Sequence, residues 1–130
     1  MIVGIGCDLV DHDVTNDLGW ASDSQMLLRL FSQKEIDIYN TKRTIKFLAG
    51  RFAAKEAVLK CLGTGMHDGI SLTDIEILQL ENGKPLLEVS GKVKEISDQI
   101  GINAWHVSIT HSKTYSSAFV IAERSEIGKL

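Results

Sequence analysis

The stretch that most constrains this chain is a helical run at about residues 44 to 62, small or apolar around most of its circumference. At 1.5 Å per residue it would span roughly 28 Å, about the width of a small domain. Its second half reads RFAAKEAVLK, residues 51 to 60. Successive residues turn by ~100°, so Arg51 and Lys55 share one direction and Glu56 and Lys60 another. Phe52, Ala53, Ala54, Ala57, Val58 and Leu59 fill the rest. A helix facing solvent keeps its charges on one side. This one is read as a mostly buried central helix whose charges need a separate reason. Gly63 is placed as its C-terminal cap, and Gly63-Thr64-Gly65 turns the chain away.

Residues 2 to 10, IVGIGCDLV, are β-rich and read as a buried strand with Asp8 as its only charge. A polar stretch follows, and a helix begins near Ser22 or Asp23. Ser32-Gln33-Lys34-Glu35 is a capping box opening a short helix over 36 to 39. Residues 70 to 81 and 84 to 90 read as strands joined at Asn82-Gly83, a type I′ hairpin signal. Residues 91 to 101 form an amphipathic helix with Val93, Ile96 and Ile100 on one side. Two further strands cover 104 to 112 and 115 to 123. The order β-α-α-α-β-β-α-β-β implies an α+β fold, a largely antiparallel sheet packed against the long helix, as one domain over 1 to 130.

A hydrophobic content of 44% is ordinary for a globular protein, and a single Pro with no low-complexity run argues against linkers and disorder. No run approaches the ~20 apolar residues of a membrane helix, and the N-terminus lacks the basic region of a signal peptide. Cys7 and Cys61 have no CxxC spacing and read as reduced core residues. A cytoplasmic protein with no membrane or nucleic-acid partner is expected. Residues 29 to 60 carry a net +5 within a total of −3. That suits either an anionic ligand or acidic protein, or a solvated helix face.

Three elements carry possible chemistry. Asp8 in an apolar strand is a hydrogen-bonded strand residue or a ligand. Glu56 and Lys60 form an i,i+4 pair, a salt bridge or part of a site. His111 and Ser112 end a strand, as structural residues or as donors. Taken together, two carboxylates from separate elements suit one hard cation, by default Mg²⁺, with Lys60 near whatever phosphate it binds. Neither a Walker A motif nor GxGxxG is present.

The chain resembles the holo-acyl-carrier-protein synthase family, the short type of 4′-phosphopantetheinyl transferase. The family opening V-G-I-G-x-D-[IL]-V is matched from Val3 to Val10. R-F-A-A-K-E-A-x-x-K-x-L-G-T-G is matched without a gap from Arg51 to Gly65. D-[IV]-E-[IV] is matched from Asp74 to Ile77, and W-H-V-S-[IL]-[ST]-H-[ST] from Trp105 to Ser112. The motifs keep the family's order across nearly the whole chain.

The resemblance implies that phosphopantetheine passes from coenzyme A to a serine of an apo acyl carrier protein, releasing 3′,5′-ADP, as in fatty acid biosynthesis. By the same resemblance Asp8 and Glu56 hold Mg²⁺, and Lys60 contacts phosphate. Arg51, Gly63, Thr64, Gly65, His111 and Ser112 line the coenzyme A site. A homotrimer with active sites between subunits is implied, with Asp8, Glu56 and Lys60 as the catalytic set. One position departs. The family continues V-E-[IV]-x-R, where the Arg helps dock the acidic carrier protein, but here Val14 takes its place beside Asp11, Asp13 and Asp17. Arg29, Lys42, Arg43 or Lys46 replaces that contact, or the enzyme serves an unusual carrier protein, or the chain is a non-catalytic coenzyme A-binding module.

Overall fold

The computed structural model describes residues 1–63 and 69–126. Strand β1 (Ile2–Asp11) leads into helix α1 (His12–Asp17), a 3₁₀ turn (Trp20–Ser22) and helices α2 (Ser24–Leu30), α3 (Gln33–Lys42) and α4 (Ile45–Leu62). A second 3₁₀ turn (Leu72–Asp74) precedes strands β2 (Ile75–Gln79) and β3 (Pro85–Val89). Helix α5 (Gly91–Ile100) and strands β4 (Ala104–His111) and β5 (Tyr115–Glu123) follow. The expected α+β class and antiparallel pairing are borne out. The strands form two sheets, however: β1-β5-β4 and the hairpin β2-β3. No helix among the described residues is long and apolar enough to cross a membrane.

Helix α4 is the hub. Ala49, Ala53, Ala54, Ala57 and Val58 are fully buried, as the small-residue pattern implies. One face of α4 lies on β1, where strand alternation turns Gly6, Asp8 and Val10 inward. A Cβ at Gly6 would overlap the Ala57 carbonyl, and one at Gly4 would crowd the Cys61 carbonyl. These two glycines therefore let strand and helix backbones meet. The opposite face of β1 is uncovered in the single chain, with Ile5 65% and Leu9 62% exposed. The strand is thus not buried on both sides, and Cys7, read as a core residue, is an exposed free thiol.

A second anchor crosses α4. The Lys55 ammonium is fully buried and donates to Glu35 Oε1 at 2.6 Å, to the Leu72 carbonyl at 2.9 Å and to the Ile75 carbonyl. Glu35 also accepts from the Ile77 N–H at 3.0 Å, and its reciprocal bonds with Ser32 are the predicted capping box. Burial lowers the Lys55 pKa, and the adjacent Glu35 opposes that shift.

Three local expectations change. The polar stretch after β1 forms α1, capped by Asp11, whose carboxylate accepts from the Asp13 N–H at 2.8 Å. Its buried residues are His12 and Thr15, so no apolar period announced it. The strand expected over 70 to 81 shrinks to β2, because Ser71 accepts from the Thr73 N–H and caps a 3₁₀ turn. The hairpin is not a two-residue type I′ turn. Leu80 N–H donates to the Lys84 carbonyl and Gly83 N–H to the Leu80 carbonyl, giving a three-residue loop. Only Gly83 has positive φ there (88°), whereas type I′ needs Asn82 positive as well.

Glu35→Gln should cost about 3 to 5 kcal/mol, because it leaves a buried ammonium without its anion. Urea unfolding checks this. Parental stability in the variant would show that the pair contributes nothing.

Candidate active site

The glycine-mediated approach of β1 to α4 sets Asp8 against the exposed end of the helix. Lys60 Nζ donates to Asp8 Oδ1 at 3.1 Å and to the Cys7 carbonyl at 2.8 Å. Ser117 Oγ holds the Asp8 carbonyl at 3.1 Å. Lys60 therefore pairs with Asp8 across elements, not with Glu56 along the helix. Glu56 shares a cleft of about 450 Å³ with Asp8, Leu9, Val14 and Phe52. Burial, then the nearby Asp8 carboxylate, raises the Glu56 pKa, while Lys60 opposes the shift. Two carboxylates thus face one cleft, at an electrostatic cost to Glu56. That donor set fits a hard cation such as Mg²⁺, which takes one or two carboxylates and completes its shell with water and phosphate oxygens. Among the described residues no three His, Cys, Asp or Glu side chains cluster as a metal cage.

Arg51 lies elsewhere. Five residues before Glu56, it points ~140° away around the helix. It lines a second cavity of about 360 Å³ with Lys42, Lys46, Phe47 and His111. Its guanidinium stacks over the Phe47 ring at 4.0 Å, and its buried Nε has no hydrogen-bond partner. Burial lowers the Arg51 pKa, against the pull of Glu35. His111 Nδ1 lies 2.7 Å from Ser116 Oγ. Burial, His12, Lys46 and Arg51, in that order, lower its pKa. His111 also borders a third cavity of about 220 Å³ with Leu9, Ser112 and Tyr115.

Other motif residues make local structural contacts. Ser112 Oγ accepts from the Thr114 and Tyr115 N–H groups, shaping the β4–β5 turn. Gly63 caps α4 through its N–H, as expected. Thr64 and Gly65 lie outside the described residues. Asp74 accepts from the Lys92 N–H at the start of α5, and Glu76 accepts from Ser32 Oγ at 2.5 Å. The structure therefore brings Asp8, Glu56 and Lys60 together and places Arg51 and His111 in a separate basic pocket. Sequence reading missed Phe52 as a cleft wall, and His12 and Ser116 behind His111. Only the residue types, a His and a Ser near apolar strands, were available to flag them.

Comparison with known proteins gives the geometry a family. The sequence model of the 4′-phosphopantetheinyl transferase superfamily matches residues 4–120. A holo-[acyl-carrier-protein] synthase of Hydrogenovibrio crunogenus is 43% identical over 124 residues, covering 95% of this chain and 98% of that protein. A holo-(acyl-carrier-protein) synthase from Bacillus anthracis, solved in complex with CoA (3′,5′-ADP), superposes with TM-score 0.78. It is 34% identical, over 96% of this chain and 99% of that one. The Helicobacter pylori synthase in complex with coenzyme A gives TM-score 0.79 at 30% identity, over 92% of this chain and 99% of that one. The chain belongs to the holo-[acyl-carrier-protein] synthase family, within the 4′-phosphopantetheinyl transferase superfamily.

Proposed function

We propose that this protein transfers 4′-phosphopantetheine from coenzyme A to a serine of an apo acyl carrier protein, with Mg²⁺, and releases 3′,5′-ADP. The convergence of Asp8 and Glu56 on one cleft, with Lys60 bonded to Asp8, carries this reading. Adenosine binding alone has no use for that set. Related proteins named for the activity, two of them solved with coenzyme A or its nucleotide, support it.

The serine oxygen forms a bond to the β-phosphorus as the bond to the departing 3′,5′-ADP breaks. Such chemistry rests on positioning and charge neutralisation. Asp8 and Glu56 would hold Mg²⁺, which when bound would supply Lewis-acid polarisation of the phosphates. Glu56 accepts the serine proton, directly or through water. Lys60, already at Asp8, adds a cationic donor for the leaving phosphate. Arg51 and His111, with Lys42 and Lys46, offer donors and positive charge to the nucleotide end.

The two cavities are best united by a homotrimer. The outer sheet face exposes Ile5, Leu9, Phe119 and Ile121, an apolar strip unusual for a lone chain. Packing it against neighbouring copies would bring one subunit's basic pocket to another's carboxylates. A second reading, a coenzyme A-binding module without transfer, is favoured by Val14, 53% exposed on the wall of the carboxylate cleft. Mass spectrometry of apo carrier protein incubated with the enzyme, coenzyme A and Mg²⁺ separates the readings. A gain of one phosphopantetheine supports transfer, and no gain with coenzyme A still bound supports the module.

Glu56→Gln should abolish transfer while the fold persists. Because the Glu56 pKa is raised in the folded state, its charged form costs stability above that pKa, and the cost fades as pH falls through it. The ligand-free variant should therefore melt above the parent at pH 8, with the gap closing toward pH 4, and should lose stabilisation by MgCl₂. A variant that melts below the parent at pH 8 would contradict this. Phe119→Asp should convert a sedimenting trimer into an inactive monomer. An active monomer would refute the shared site.

Val14→Arg should lower KM for an acidic carrier protein about tenfold with little change in kcat, since a charge-assisted contact made to the carrier protein's acidic surface and not to the phosphoryl group contributes roughly 1.5 to 3 kcal/mol of uniform binding. The gain should shrink with added salt. Unchanged kinetics would place docking on Arg29 or Arg43 instead.

A further inference from the structure

Behind His111 lies a buried polar chain that the proposed reaction does not use. His12 and Ser116 are 4% and 0% exposed. Ser116 Oγ lies 2.8 Å from His12 Nε2 and 2.7 Å from His111 Nδ1. His12 Nδ1 lies 3.2 Å from the Lys113 carbonyl oxygen. The contacts thus run from a backbone carbonyl, through an imidazole and a hydroxyl, to the wall of the basic pocket. Ser116 lies outside the family motifs, and His12 stands where V-E-[IV]-x-R has Ile or Val.

Proton counting gives the chain a direction. A carbonyl oxygen only accepts, so His12 Nδ1 carries a hydrogen. In the uncharged ring His12 Nε2 is then an acceptor, and it takes the single hydroxyl proton of Ser116. Ser116 Oγ is left to accept from His111 Nδ1–H. The uncharged His111 ring therefore carries its lone pair on Nε2. Reversing the chain would set the His12 Nδ1 lone pair against the Lys113 carbonyl. A charged His12 would add a buried cation behind a pocket that already holds Lys42, Lys46 and Arg51, and its hydrogen-bond partners include no carboxylate. The lowered pKa of His111 agrees with an uncharged ring.

The ring is also fixed in place. A Cβ at Gly50 of α4 would come within 2.7 Å of His111 Cε1 and 3.0 Å of Ile109 Cγ2. The imidazole edge therefore rests on bare helix backbone, with Ser116 gripping Nδ1 from behind. We propose that His12 and Ser116 are positioning residues: a relay from the Lys113 carbonyl through both side chains holds His111 as its Nδ1–H tautomer and leaves Nε2 as the free ring nitrogen at the basic pocket. The consequence for ligand binding rests on the coenzyme A reading above, but the tautomer does not.

The test is long-range ¹H–¹⁵N NMR of the intact protein labelled in its four histidines, at pH 8 without nucleotide. The parent should show Nδ1–H at both His12 and His111. Ser116→Ala and His12→Leu should each release His111 into a tautomer mixture. His12→Gln, whose amide oxygen can accept from Ser116, should retain the parental His111 signal. Affinity for 3′,5′-ADP should fall about fivefold in Ser116→Ala, the scale of one hydrogen bond. Adding Ser116→Ala to His111→Ala should bring no further loss. An Nε2–H signal for His111 in the parent overturns the relay even if every variant fails to fold. So does an unaltered His111 signal in folded Ser116→Ala. An altered tautomer in Ser116→Ala, with unchanged 3′,5′-ADP affinity in His111→Ala, supports the relay and removes His111 from the nucleotide site.

Discussion

The buried Lys55–Glu35 pair is the interaction on which the rest of the structure depends. One ammonium with no exposed surface joins α4 to α3 and to the chain entering β2. Glu35 extends the link to the Ile77 N–H and closes the cap of its own helix. Burying two charges is tolerable only when every donor and acceptor is met. Here the ammonium has three acceptors and the carboxylate bonds on both oxygens. The pair acts as a registry device, because any rotation or slide of α4 would strand a charge in the core.

With α4 locked, its remaining charges acquire separate tasks by direction alone. Glu56 and Lys60 emerge beside β1, where Gly4 and Gly6 let the strand come close enough for Asp8 to meet Lys60. Arg51 emerges on another side, over Phe47 and beside His111. One helix thus supplies a core anchor, half of a carboxylate cleft and part of a basic pocket. The opposite face of the sheet carries exposed apolar side chains, so the same strand that builds the cleft also presents an apolar surface.

Much of this was legible beforehand. The small-residue helix, its Gly63 cap, the Ser32 capping box and the β4–β5 pair follow from local patterns of spacing and turn chemistry. The motif residues Asp8, Glu56 and Lys60 were readable as a set through resemblance, and the fold brings them together. Helix α1 was not legible, because its buried residues are His12 and Thr15. The split of the strands into two sheets was hidden too, since hydrogen-bonding partners are not a property of any one segment.

The sequence by itself determined most of the helical and extended segments, α1 excepted, which of them carry charge, and to which family the chain belongs. These depend on short-range periodicity and on the order of motifs, both of which a linear string contains. Tertiary structure alone decided the pairings. Lys60 is spaced to meet Glu56 along the helix, yet it bonds Asp8, and Lys55 finds Glu35 from another helix. Ser116 joins His12 to His111 in the same way, across elements. A charged or polar group bonds whichever partner packing delivers within about 3 Å, and that distance is set by how elements stack, not by their separation in the chain.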